Sequence, residues 1–324
     1  MFGCATQFSI MVRNRTIAVT SVAFSKDSYL RGRLLEGFPK SFFNLGGKKL
    51  SKPEVREFLS DADGAVVGRD LIDEDLLRSC PRLRIVSKYG VGLDNVDRRA
   101  CERHGVVVGW TAGVNRLSVA EQTLGFMLSL CRNLYQTSCL LKSHQWVTNG
   151  GWQLSGKTVG IIGVGHIGKE LIRLLGPFNC TILVNDILDQ GDYYRLHGLV
   201  ESSKEVIFAE SDIVTIHTPL TEQTRYLVNR QMLSMMKNSA FLINTSRGAV
   251  VNQSDLKEAL ISKVIAGAAL DVFEEEPAED REFLQLPNLF CTPHVGGNAL
   301  EAVRAMGLSA IDHLEKFYAQ DDLA

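Results

Sequence analysis

A chain of 324 residues, 45% hydrophobic and 22% charged with a formal net charge of −2, has interior enough for about two domains and the balance of an ordinary globular protein. With no basic excess, no apolar run of spanning length and seven scattered cysteines lacking a CxxC pair, the composition argues against a nucleic-acid partner, a membrane span and a structural zinc site. The expectation is a cytoplasmic protein with reduced thiols and no metal. Residues 1–14 read as a loose leader without the basic n-region of a signal peptide, with Met11 as an alternative start, and Phe2 excludes N-myristoylation.

Residues 16–110 alternate strand and helix patterns. TIAVTSV reads as a strand and SYLRGRLL as a helix, and Ser51-Lys-Pro-Glu54 is a capping box opening another helix. Strand-like GAVV, RIVS and VVVG follow, separated by helical DEDLLRS and DRRACERH, which predicts a parallel sheet covered on both faces. Ser118-Val-Ala-Glu121 reads as a second capping box, and the helix behind it, through TLGFMLSLCRNL, carries few charges. Such a helix is expected to bury its surface against another domain or another subunit. An irregular Trp-containing segment, 143–156, precedes further strands at 158–162, 181–184, 212–217, 240–244, 264–271 and 289–292. A long amphipathic helix spans Gly297–Tyr318.

The stretch Lys157–Gly168, KTVGIIGVGHIG, has the context a dinucleotide fingerprint requires: strand, glycine turn, helix. Gly163 allows the tight turn, Gly165 the approach of a pyrophosphate, and Gly168 close helix–strand packing. The anion would rest on the helix N-terminus, at the backbone of Gly165, His166 and Ile167. The next strand delivers Asn185-Asp186 at the distance where an acid grips the adenosine ribose. A carboxylate there accepts from both hydroxyls and repels a 2′-phosphate, so the cofactor is expected to be NAD; the neighbours Asn185 and Ile187 supply no compensating arginine.

Three later strands end in chemically capable residues: Asn244-Thr-Ser-Arg247-Gly248, Asp271-Val-Phe-Glu-Glu-Glu276-Pro277 and Thr292-Pro-His294-Val-Gly-Gly297. Arg247 can hold a carboxylate bidentately. His294, as imidazolium, can protonate a carbonyl oxygen while hydride reaches the carbon. Glu276, on the other ring nitrogen, would fix the tautomer and raise the His pKa. Singly, each has an ordinary reading: a surface arginine, one of three solvated acids, a histidine satisfied by a carbonyl. Together, on strand ends after a nucleotide unit, they favour the functional one.

These motifs resemble the D-isomer-specific 2-hydroxyacid dehydrogenase family, phosphoglycerate, glyoxylate/hydroxypyruvate and D-lactate dehydrogenases among them. The resemblance runs from Gly90 to Gly297 and the layout fits almost the whole chain. It implies two doubly wound parallel-sheet α/β domains, Rossmann-like and flavodoxin-like, with a cleft between them. Residues 1–116 with 297–324 would form a discontinuous substrate domain and 117–296 the NAD domain, with a homodimerisation helix and arm near 118–152. By the same resemblance, Gly90-Val91-Gly92 binds the substrate carboxylate through backbone N–H groups, and Thr111 and Asn115 frame the cleft. Thr245 and Asp271 face the nicotinamide side, with Gly296 in the loop after the histidine, and Thr218-Pro219 line the adenine side. Glu276 argues against the formate branch, which has Gln there, and Val91 against the phosphite branch, which has Lys.

The substrate is expected to be a small 2-hydroxy or 2-oxo acid. Arg69, Lys88 and Arg116 fall near strand ends of the substrate domain, where a phosphorylated acid would need cations, though solvated surface charges are the ordinary alternative. Arg69 lies where the phosphoglycerate branch resembles a phosphate-binding arginine. The chain ends soon after its last helix, so no C-terminal regulatory domain is expected. A second reading is an NAD-sensing corepressor that keeps the fold for protein recognition with little turnover. A short-chain reductase is disfavoured, since Tyr-x-x-x-Lys is lacking and the glycine turn is mid-chain.

Overall fold

The computed structural model describes residues 14–321. The expectations about the leader, Phe2 and Met11 concern residues outside that range. The chain forms two compact units: one runs up to Asn115 and resumes at Ala299, and the other spans Arg116–Asn298.

The first unit is a five-stranded, all-parallel sheet of β1 (Ile17–Val19), β2 (Phe42–Phe43), β3 (Gly64–Val67), β4 (Ile85–Lys88) and β5 (Val107–Gly109). Its order, β2-β1-β3-β4-β5, is the flavodoxin-like doubly wound arrangement. β3 and β4 are buried along their whole length, as strands with helices on both faces must be. One face packs on the helix Leu300–Asp321, whose Met306, Ala310, Ile311, Leu314 and Tyr318 join Ile17, Val19 and Ile85 in one cluster. Ser87 fixes that packing by donating from Oγ to the Ala310 carbonyl at 2.8 Å.

The second unit has seven parallel strands: β6 (Thr158–Ile162), β7 (Thr181–Asn185), β8 (Val200–Glu201), β9 (Ile213–Ile216), β10 (Phe241–Asn244), β11 (Gly267–Leu270) and β12 (Leu289–Cys291). Their order, β12-β11-β10-β9-β6-β7-β8, reverses between β6 and β9, which is the Rossmann pattern extended by one strand. The register aligns Asn185, Ile162, Ile216, Asn244, Leu270 and Cys291 in a row across the sheet. Every segment that follows this row leaves the sheet at one level and on one edge.

Several local expectations are corrected. The first strand stops at Val19, because Ser21 caps a helix over Val22–Lys26, its Oγ accepting from the Phe24 amide at 3.4 Å. At the first capping box the Glu54 carboxylate accepts from both Ser51 N and Oγ at 2.7 Å, and these bonds bring its pKa down to about 2. Ser118 lies inside its helix, Arg116–Cys131, which begins two residues earlier, and its hydroxyl donates to the Gly296 carbonyl at 2.6 Å. That helix buries Ala120, Phe126, Met127 and Cys131 beside Ile161, Val164 and Leu171 of its own unit. The last helix starts at Leu300 rather than Gly297. Two-residue edge strands β2 and β8 are too short to show a period.

Candidate active site

The fingerprint turn lies at the strand-order reversal. Gly163 has φ +96°, and a Cβ built there would stand 2.7 Å from the His217 carbonyl oxygen, so both conformation and space demand glycine. Gly168 presses on the turn itself: its Cβ would lie 2.3 Å from the Gly163 carbonyl oxygen. At Gly165, by contrast, a Cβ would meet no described atom within 4 Å. The first intrahelical bond of His166–Leu175 runs from Lys169 N to Gly165 O at 3.0 Å, so the amides ahead of it, including those of His166 and Ile167, point out of the helix end. Open space in front of unpaired amides is what a pyrophosphate needs.

Asp186 follows β7 beside this turn. Its Oδ2 accepts from Val164 N at 2.6 Å and its Oδ1 from Leu188 N at 2.9 Å, which holds the carboxylate against the glycine loop. After β9, the Thr218 hydroxyl and His217 Nδ1 are buried without a hydrogen-bond partner among the described residues, and Pro219 is exposed. Burial pushes the His217 imidazole down to about 4, so the ring is neutral at ordinary pH; its Nε2 lies 3.0 Å from Thr215 Oγ1. Orphaned polar atoms, an open helix end and a carboxylate beside the glycine turn together fit a dinucleotide.

Three loops follow β10, β11 and β12. In the first, the fully buried Asn244 donates from Nδ2 to the Arg247 carbonyl at 2.9 Å and accepts from Ser246 N and Oγ at 3.0 and 2.8 Å. This closed ring of bonds shapes the turn that presents Arg247, whose Nη1 reaches the Ser246 carbonyl at 2.8 Å. Thr245 is buried, 2.9 Å from the Thr123 hydroxyl. Gly248 sits directly on the second loop: a Cβ there would lie 1.9 Å from both the carbonyl carbon and oxygen of Phe273.

The second and third loops meet at a carboxylate–imidazole pair. His294 Nδ1 faces both oxygens of Glu276, at 2.9 and 2.8 Å. A carboxylate at Nδ1 selects the ring form with its proton there and leaves Nε2 for other work. His294 has φ +54°, unusual for a side chain with a Cβ, and the loop is held in that shape by Asp271. Asp271, 2% exposed, accepts from Thr292 Oγ1 (2.6 Å) and Val295 N (2.8 Å) on one oxygen and from Gly296 N (2.8 Å) on the other. Asp271 and the buried Gly296 were expected to face the cofactor; their polar groups are largely engaged in shaping the histidine loop. Gln122 adds a bond to Thr292 Oγ1 at 3.2 Å. Sequence reasoning missed Asn244, Gly248 and Gln122 as organisers of the site. The available signal was the group of polar residues, Ser118, Gln122 and Thr123, in the first half of a helix whose second half is almost wholly apolar.

The expected substrate residues lie mostly in the first unit. Val91 and Gly92 are half-buried in the loop after β4, where Gly90 takes φ +130° and the Val91 carbonyl accepts from Trp110 Nε1 at 2.8 Å. Asn115 has its Oδ1 buried with no hydrogen-bond partner among the described residues, and Thr111 Oγ1 lies 2.9 Å from His313 Nε2. Arg69 is exposed. Lys88 is corrected: it is 6% exposed, its ammonium turned inward to the Gly68 carbonyl and Asn95 Oδ1. Arg116 belongs to the second unit and pairs with Glu170 at 3.3 Å. No cluster of possible metal ligands occurs, and no helix is long and apolar enough to cross a membrane, among the described residues.

Residues 124–296 match the family model described as D-isomer specific 2-hydroxyacid dehydrogenase, NAD binding domain. The D-3-phosphoglycerate dehydrogenase of Methanocaldococcus jannaschii is 35% identical, over 82% of this chain and 52% of its own. The hydroxypyruvate reductase of Thermotoga maritima is 32% identical, over 86% and 92% respectively. Thus the chain spans about half the length of the first relative and nearly all of the second. Among solved structures, a D-lactate dehydrogenase from Aquifex aeolicus, complexed with NAD and lactic acid, superposes with a TM-score of 0.82 at 25% identity, covering 95% of this chain and 96% of that one. The chain belongs to the D-isomer specific 2-hydroxyacid dehydrogenase family. It is therefore of the NAD-dependent oxidoreductase class, and the enzyme reading prevails over that of a sensing module.

Proposed function

We propose that the protein interconverts a small D-2-hydroxy acid and its 2-oxo acid with NAD(H), with Arg247, Glu276 and His294 as its catalytic set. The observation that carries this is the Glu276–His294 pair, which leaves imidazole Nε2 available at the edge where the nucleotide turn also lies. Bound NADH would supply the hydride. Arg247 would hold the substrate carboxylate and the loop Gly90–Gly92 would add backbone N–H groups. In the reducing direction His294 gives its Nε2 proton to the carbonyl oxygen while its Nδ1–H stays on the ring and donates to Glu276; in oxidation neutral Nε2 takes the hydroxyl proton.

The names of the relatives supply the candidates: 3-phosphoglycerate, hydroxypyruvate, glyoxylate and D-lactate. Exposed Arg69 favours an acid with a second anionic group, because a phosphate needs a cation within reach. A panel of these acids, assayed by NADH absorbance with NAD(H) and NADP(H) in parallel, is expected to give NAD-linked turnover with at least one. Turnover with none would remove the reading, and a preference for NADP(H) would remove the role given to Asp186.

A homodimer belongs to the same proposal. The helix Leu134–Lys142 has no buried residue, and Leu134, Leu141, Trp146 and Val147 line a groove of about 310 Å³ with Thr137 and Ser138. Trp146 is 83% exposed, an apolar area that a second copy would cover. Sedimentation velocity is expected to report a dimer for the native chain and a monomer for Trp146→Asp. A cytoplasmic setting accords with the six described cysteines, all free thiols.

A further inference from the structure

A set of polar groups is buried at the carboxyl ends of β1, β3 and β4 in the first unit. Lys88 closes β4 and donates to the Gly68 carbonyl and to Asn95 Oδ1, the latter at 2.5 Å. Asn95 Nδ2 donates to the same Gly68 carbonyl at 3.2 Å and to the Asp70 carbonyl. Asp70, 6% exposed, accepts from the Thr20 hydroxyl at 2.5 Å and the Gly68 amide at 3.3 Å. Backbone bonds continue the seam: Ile72 N to Asn95 O at 2.9 Å and Asp97 N to Ile72 O at 2.8 Å. The glycine loop rests on it, for a Cβ at Gly90 would lie 3.6 Å from Lys88 Cε.

The position of this seam matters. The order β2-β1-β3-β4-β5 reverses between β1 and β3, and open parallel sheets take ligands beyond the carboxyl ends of the strands at such a point. The segment Gly68-Arg69-Asp70 leaves the sheet there, with exposed Arg69 between two anchored neighbours. An ammonium is costly to bury unless its protons are taken up, and an aliphatic side chain would fill the end of β4 at less cost. What only a multiple donor at that place can do is tie one loop's carbonyl to another loop's amide oxygen.

We propose that Lys88 is a positioning residue: it locks the segment 68–70 to the loop 90–95, so that the two ligand-facing loops of the first unit keep one fixed relation. It acts through Gly68 and Asn95 and does not touch the substrate. This rests on the reading that loop 90–92 takes the substrate carboxylate. Loosening the lock then weakens substrate binding while leaving the catalytic set and the nucleotide site, both in the other unit, as they were.

The test is Lys88→Met, which keeps the length and removes the donors, with Asn95→Ala as a second variant should the first fail to fold. The KM for the best 2-oxo acid of the panel is expected to rise about tenfold with kcat within about threefold. NADH affinity, read by fluorescence, stays within about twofold of the native value, and amide exchange accelerates at residues 68–72 and 90–97. Combining the two variants should cost less than the sum of their separate effects, because both release the Gly68 carbonyl. An unchanged KM, unchanged exchange, or a kcat that falls in step with kcat/KM overturns the proposal. So does a KM effect confined to the phosphorylated acid, which would make Lys88 a direct ligand. Failure of the functional reading is distinct: the native enzyme would turn over no acid, while exchange would still report on the lock.

Discussion

Replacing His294 by Asn should lower kcat by about 10²- to 10⁴-fold while NADH binds as before. Asparagine is chosen because it tolerates the left-handed conformation that the loop imposes, φ +54°, better than alanine does, so the backbone held by Asp271 is kept. What is lost is a ring with two nitrogens, one fixed on Glu276 and the other able to exchange a proton with the substrate oxygen. Amide groups do not titrate near neutral pH, so no other group takes over. Stopped-flow or steady-state reduction of the best acid, beside NADH fluorescence, measures both quantities. A kcat within tenfold of the native enzyme would put the acid/base elsewhere.

The second large effect is expected from a residue with no chemistry. In Gly248→Ala the new methyl would stand 1.9 Å from two backbone atoms of Phe273 and 2.4 Å from Glu274 N. Those are main-chain atoms, with no rotamer to swing aside, so the loop bearing Arg247 and the loop bearing Glu276 must separate. A displacement of about 1 Å costs on the order of 10² in rate where reacting groups are pre-aligned. We expect kcat/KM to fall at least about a hundredfold, with a lower melting temperature from the forced overpacking. The fingerprint turn is built from other segments, so NADH affinity should persist and show that the unit remains folded. Activity within a few-fold of native would mean that the two loops are not set by this contact.

How much of this was legible in the sequence depends on the range of the interactions involved. The strands were readable because burial on both faces demands short β-branched runs such as GAVV, IVS and FLIN, a property each segment carries by itself. Parallel βα alternation then put the residues after those runs on one edge, which is why Glu276 and His294 could be paired in advance. Lys88 was misread for the complementary reason. A lysine at a strand end faces solvent or core according to where Gly68 and Asn95 bring their acceptors, and nothing local to residue 88 encodes that. Ser118 shows the same limit: the pattern Ser-x-x-Glu fits a helix start and equally a helix interior whose serine serves a carbonyl 178 residues away. Nothing local to Gly248 encodes its need for glycine, because the atoms that exclude a side chain there come from the next strand's loop.

The packing of Leu300–Asp321 on the first unit has a consequence for the order in which the chain acquires its shape. During synthesis the residues of β1, β3 and β4 emerge early, yet the cluster that Ile17, Val19 and Ile85 form with Phe24, Leu30 and Leu34 lacks Met306, Ala310, Ile311, Leu314 and Tyr318 until the helix Leu300–Asp321 leaves the ribosome. The intervening segment, Arg116–Asn298, is complete before then and can settle by itself. The unit that begins at β1 therefore matures after the segment inserted in it, and a nascent chain halted before residue 300 would present part of that apolar cluster to chaperones.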